Sequence, residues 1–167
     1  LEGVGIQMLT VHGRTREQDY KGAAEYDTIA AVKAAVRVPV VANGDIDSPE
    51  KARAVLAATG ADALMVGRAA QGRPWIFREI NHFLTTGQHL APPLVAEVRS
   101  LLLEHLQDHY RLYGDETGVR SARKHIAWYV RSLPGGEALR QHINTLETCD
   151  AQWQAVAHYL DALGDQM

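Results

Sequence analysis

A chain of 167 residues with 46% hydrophobic and 22% charged side chains has material for one ordinary domain, or a small domain with an appendage, and can bury a real core. No apolar stretch approaches the roughly 20 residues a membrane helix needs, and the lone Cys149 excludes an intrachain disulfide framework and any multi-cysteine zinc site. The net charge of -3 hides an asymmetry: from Gly118 to Arg140 five cations face one carboxylate, a local +4 that leaves -7 for the remainder, so an anionic partner is expected on that segment.

The opening, Leu1-Glu2-Gly3-Val4-Gly5, has neither an initiator Met nor the basic flank and apolar core of a signal peptide. The expectation is a cytoplasmic chain cut from a longer one. Three apolar runs follow, each ending in glycine beside a polar or cationic residue: Gln7 to Arg14, Val38 to Ile46 and Ala63 to Arg68. Their β-branched content suits parallel strands covered on both faces. Between the first two, Tyr26 to Val36 places Ile29, Val32 and Val36 at helical spacing. After the second, Ser48-Pro49-Glu50 supplies a capping hydroxyl, a proline preset for the first helical position and a carboxylate that complements the helix dipole, and Gly60 closes that helix. Pro74 opens a third helix running to about Thr86-Gly87. Strand and helix thus alternate three times, as right-handed crossovers of a parallel sheet require. Three strands alone leave unpaired edges, so a preceding half upstream of Leu1 is expected.

At Leu90-Ala91-Pro92-Pro93 the pattern changes, and a second unit is expected to begin. Leu94 to Tyr113 carries an apolar helical stripe that stops at Gly114, and Val119 to Leu133 carries another that ends at Pro134-Gly135-Gly136. A short helix through Leu139, Ile143 and Leu146 and a fourth from Trp153 to Leu163, closed by Gly164, complete the chain. Short connections favour an antiparallel helical bundle.

If the three strands are the last of eight in a βα barrel, Asn43-Gly44-Asp45 and Gly67-Arg68 fall at the ends of strands 7 and 8, the usual phosphate site of that fold. Glycine lets backbone N–H groups approach a phosphate, and Arg68 offers a planar fork of donors. The alternative is tight turns beside a solvated cation. His12 ends the first strand, where it can bond an anionic or heteroaromatic ligand, with Arg14 and Arg16 beyond it; a solvated loop is the alternative of equal weight. Arg120, Arg123, Lys124 and Arg131 lie near one side of their helix, interleaved with Trp128 and Tyr129, a pattern that can track phosphates and stack on bases, although charge runs are more often a solvated face. His105, His109, His125, His142 and His158 form no HExxH pair and have no carboxylate cluster, so no metal is assigned. Cys149 lies near a helix start, which lowers a thiol pKa slightly; it reads as a bystander.

Leu9 to Arg16, Pro39 to Ile46 and Ala61 to Trp75, in this order, resemble the bacterial tRNA-dihydrouridine synthases, and the last block with Arg123-Lys124-His125 points to their B subfamily. The resemblance runs over nearly the whole chain. It implies an FMN-dependent reductase in which NADPH reduces the flavin, hydride passes to C6 of a uracil flipped out of folded tRNA, and a cysteine protonates C5. Carried over residue by residue, Asn43, Gly44 and Asp45 match the ribityl and phosphate loop, Gly67 and Arg68 the phosphate grip, and His12 the histidine beside the flavin. Arg14, Arg16, Arg120, Arg123, Lys124 and Arg131 become tRNA contacts. The family's cysteine acid, flavin-contacting lysine and first strands are expected upstream of Leu1. Cys149 does not match the catalytic position, so no catalytic residue is assigned and the piece by itself is expected to be inactive. The implied organisation is the C-terminal part of an FMN-binding TIM barrel over residues 1–89, followed by a helical tRNA-binding bundle over 90–167, as a monomer. Another phosphate-binding barrel enzyme (a lyase or isomerase) and a non-catalytic RNA-binding module are the alternatives.

Overall fold

The structure, a computed structural model, describes residues 2–19 and 21–164. It divides into two compact units, Leu1–Ala70 with Pro74–Leu90 and Gln71–Arg73 with Ala91–Met167.

The first unit alternates β1 (Leu9–His12), α1 (Asp27–Ala35), β2 (Val40–Asn43), α2 (Pro49–Thr59), β3 (Ala63–Met65) and α3 (Ile76–Thr86), with 3-10 turns at Glu2–Val4 before β1 and Arg68–Ala70 after β3. The strands pair in parallel in the order β1-β2-β3. The register sets His12 opposite Asn43 and Asn43 opposite Met65, so the three C-terminal ends are level. Local signals place the helices. The Ser48 hydroxyl accepts the Lys51 N–H at 3.1 Å with Pro49 in the first turn, while Gly60 and Gly87 take left-handed conformations (φ 64° and 74°) and return their N–H groups to Leu56 and Phe83. The third helix begins at Ile76, two residues after Pro74.

One face of the sheet meets a core in which Val40 and Ala42 pack with Ile29, Val55, Ile76 and Ile80, joined by Val11 and Leu64. This burial drives the unit's folding at about 25 cal/mol per Å² of apolar surface. On the opposite face of the sheet, where period-two alternation sends Thr10, His12, Val41, Asn43, Ala63 and Met65, the flanking strands are exposed at Thr10, His12, Ala63 and Met65. Burial on both faces therefore holds for β2 and not for β1 or β3, since the helices cover one side only.

The second unit contains α4 (Val95–Val130), α5 (Gly136–Ile143) and α6 (Cys149–Gly164). Gly114, at φ 68° and ψ -174°, breaks α4 into arms 95–113 and 115–130. The arms fold back on one another, with the His109 ring bonded to the Ser121 hydroxyl at 2.7 Å. Leu102, Leu106, Ile126, Ile143, Val156 and Leu160 are buried among the helices. Gln152, fully buried, accepts the Tyr110 hydroxyl at 2.7 Å and directs its amide toward the Val119 and Ile143 carbonyls, 3.4 Å each, so its polar ends are matched as burial demands. Burial also raises the Tyr110 pKa. Among the described residues no helix is long and apolar enough to cross a membrane.

Candidate functional site

The level strand ends of the first unit gather the residues singled out from sequence around one carboxylate. Asp45 accepts both terminal nitrogens of Arg14, at 2.9 and 2.6 Å, the Ala24 N–H at 2.8 Å and the Arg68 guanidinium at 3.2 Å. It thereby ties the loop after β2 to those after β1 and β3. The Arg14 side chain is 4% exposed, Asp45 28% and Arg68 55%. Asp45 thus bridges two cations, one of them buried and the other, Arg68, more than half exposed. The Arg14 bond contributes most to holding the Asp45 carboxyl below its usual range; the Ala24 N–H adds to this, while partial burial opposes it. Asp45 itself has φ 48°, a left-handed conformation that Asp tolerates better than most residues but that still stores strain.

The backbone around this hub leaves little room. A side chain at Gly13 would meet the Glu25 carbonyl oxygen at 2.4 Å, and one at Gly44 (φ 135°) the Ala24 methyl at 2.8 Å. These glycines are required by close approach. Gly67 differs: nothing lies within 4 Å of a β-carbon placed there, so the space beside it is open. The Asn43 amide donates to the Met65 carbonyl at 2.7 Å, bracing β2 on β3. The Arg14 N–H donates to Nδ1 of His12 at 3.0 Å, which assigns the proton of the neutral ring to Nε2. His12 therefore offers an N–H donor on the same sheet face as Asn43.

Two cations need correcting against the sequence reading. Arg14 does not stand free for an incoming polyanion, because its guanidinium is buried on Asp45 and also donates to the Lys21 and Gly22 carbonyls. Arg123 is half-buried and donates to the Leu146 carbonyl at 3.2 Å, with its Nε buried and unpartnered. By contrast Arg16, Arg120, Lys124 and Arg131 are exposed. At 3.6 residues per turn, Arg120, Lys124 and Arg131 fall within about 40° of one another, and Arg123 lies about 60° from Arg120 on the other side. Lys124 also sits over the Trp128 ring, 6.0 Å from its centroid.

A grouping the sequence reading left apart lies in the hairpin of α4. His105 and His109, one turn apart on the first arm, meet His125 on the second, and one ring nitrogen from each lies within 4.8 Å of the other two. The i, i+4 spacing of His105 and His109 was the available signal; their partner 16 residues beyond His109 is set by the turn at Gly114. Burial and the neighbouring imidazoles push His125 down to about 4 and lower His109 as well. Cys149 is corrected too. Burial, followed by the Asp115 carboxylate beside it, raises the thiol to about 11, which outweighs the helix-terminus effect and keeps it protonated and inert near neutral pH.

The family model for dihydrouridine synthase (Dus) matches residues 1–163. The chain is 59% identical over 158 residues to the tRNA-dihydrouridine synthase B of Pseudomonas aeruginosa, covering 95% of this chain and 48% of that protein. To the protein of the same name from Shewanella oneidensis it is 59% identical over 162 residues, covering 97% of this chain and 50% of the relative. Against that of Vibrio cholerae the identity is 54% over 160 residues, covering 96% and 50%. The chain spans about half the length of the curated relatives it matches.

Proposed function

The chain belongs to the dihydrouridine synthase family, and from that premise we propose that it provides the phosphate end of an FMN site and a tRNA-docking surface for the reduction of tRNA uridine to 5,6-dihydrouridine. Family membership displaces the lyase or isomerase alternative. The observation that supports the reading most is the Asp45 hub, which holds the Arg68 guanidinium at the level ends of three parallel strands. Such strand ends are where a βα barrel binds phosphate. In this reading β1 to β3 are barrel strands whose exposed face, bearing Thr10, His12, Asn43 and Met65, looks into the barrel.

The residues present fit an FMN phosphate. Gly67 leaves open space where a side chain would stand, Arg68 presents a fork of donors oriented by Asp45, and Arg14 neutralises the carboxylate that would otherwise repel an anion. Asp45 thus acts as the orienter of Arg68 and not as a phosphate ligand, since both partners would be acceptors. His12, with its proton on Nε2, would offer a donor to the flavin ring, and Asn43 lies beside it on the same sheet face. When bound, FMN reduced by NADPH supplies the hydride that C6 of uracil receives. Arg68→Ala, in a chain carrying the family's remaining half, is expected to weaken FMN retention tenfold to hundredfold, the loss of a charge-assisted contact of about 1.5 to 3 kcal/mol. A flavin fluorescence titration measures it, and an unchanged dissociation constant removes Arg68 from the site.

For tRNA, the exposed stripe of Arg120, Lys124 and Arg131 replaces the broader set read from sequence, with Arg16 as a further exposed cation. Arg120→Ala combined with Lys124→Ala should lower binding of all tRNAs alike and reduce the slope of log affinity against log salt by about 1.5 to 2 units, because phosphate contacts position without reading bases. Arg123→Ala should change the slope far less. Anisotropy titrations of labelled tRNA across a salt series test both; a double variant with unchanged affinity and slope leaves the stripe as a solvated face.

A further inference from the structure

We propose that His105, His109 and His125 form a binding site for a single d-block divalent cation, zinc being the best match, that clamps the two arms of α4 together. One ring nitrogen of each imidazole lies within 4.8 Å of the other two. Tetrahedral zinc with bonds of about 2.0 to 2.1 Å holds its ligand nitrogens about 3.3 Å apart. Closing the difference requires each ring to swing by an ångström or less, within reach of small χ1 and χ2 changes. All three side chains are half-buried, so an ion can reach them from solvent and still be partly shielded.

The surroundings orient the ligands. Ser121 has one hydroxyl proton, and its oxygen lies 2.6 Å from the Thr117 carbonyl, which can only accept. The hydroxyl oxygen is then left to accept at its 2.7 Å contact with Nε2 of His109, so that nitrogen carries the proton and Nδ1 keeps its lone pair for a metal. A ligating histidine whose other nitrogen donates to a fixed acceptor is the usual arrangement of a metal site. The His125 ring packs edge-on against Trp128 and the His109 ring lies tilted against Tyr113, 4.6 Å between centroids, which limits their rotation. Three neutral imidazoles with no carboxylate select zinc, nickel or copper and reject magnesium and calcium, which need oxygen ligands. A fourth position remains for water. Lys124, whose charge acts on His109 and His125, is exposed to solvent, where water and salt screen its repulsion.

The site makes no use of the strand-end residues, so its test is independent of the flavin and tRNA readings. The full chain, free of any affinity tag and stripped with a chelator, is titrated with cobalt(II) while visible d–d absorption is followed, and zinc is then added in competition. The expected result is an intense tetrahedral band saturating at one equivalent and abolished by zinc, with a rise in melting temperature in zinc but not magnesium. His125→Ala and His105→Gln should each weaken binding at least a hundredfold, and His82→Ala should leave it unchanged. Absence of a cobalt band in the unaltered chain at micromolar protein overturns the proposal regardless of how the variants fold. A band that survives in a folded His125→Ala chain overturns it equally.

Discussion

Replacing Asp45 by alanine is expected to destabilise the first unit by about 3 to 5 kcal/mol, the range found when one partner of a buried ion pair is removed and the other remains. The Arg14 side chain is 4% exposed and, among the described residues, would keep the Lys21 and Gly22 carbonyls as acceptors. Asp45→Asn should cost roughly half as much: asparagine tolerates the left-handed backbone at φ 48° and keeps an acceptor for Arg14, but it loses the charge. The same carboxylate sets an acid limit. The Arg14 guanidinium holds its folded pKa below the usual aspartate range, so its stabilisation is fully present above the unfolded pKa and is lost as pH falls through the folded value. The unit should therefore lose stability below about pH 4, and Asp45→Asn should flatten that limb. Hydrogen exchange of amides between Gly13 and Ile46, followed against pH, measures both effects. Protection unchanged in Asp45→Ala would mean that the three loops are held by something other than this carboxylate.

Gly136→Ala is expected to cost the second unit about 3 kcal/mol, at the upper end of overpacking. A methyl group there would stand 2.0 Å from the Val130 carbonyl oxygen and 2.9 Å from its carbon. That oxygen accepts the Leu133 N–H at 3.0 Å, and Gly136 donates to the Leu133 carbonyl at 3.0 Å, so the backbone cannot withdraw without opening the turn that joins α4 to α5. For a unit of this size the loss corresponds to a fall of roughly 10 to 20 °C in melting temperature. Gly135→Ala, at the neighbouring position of the same turn, is the comparison: its β-carbon would stand 3.6 Å from the Tyr159 ring, an ordinary contact, and the left-handed backbone at φ 71° is what opposes the substitution, so about 1 kcal/mol is expected. Equal melting temperatures for the two variants would show that the turn relaxes around the added methyl.

The sequence by itself determined the features whose causes are local. Ser48 and Pro49 start α2 and Gly60 and Gly87 end α2 and α3 because cap chemistry acts within four residues. The strand ends at His12, Asn43 and Met65 follow from apolar runs that stop at polar residues and glycine. Gly114 marks the break in α4 for the same reason, although sequence alone places no partner across it. Tertiary structure decided which of the marked residues are available. Arg14 and Asp45, 31 positions apart, become one buried pair, so a cation that reads as a surface group is an internal strut. The Leu146 carbonyl, 23 residues beyond Arg123, draws that guanidinium away from the exposed stripe of its own helix. Desolvation beside Asp115 reverses the direction expected for the Cys149 thiol. Three histidines meet only because two arms of a hairpin bring 105 and 109 against 125. Charge, burial and ligand geometry depend on what stands within a few ångströms in space, and a linear pattern specifies that neighbourhood only over a turn or two of helix.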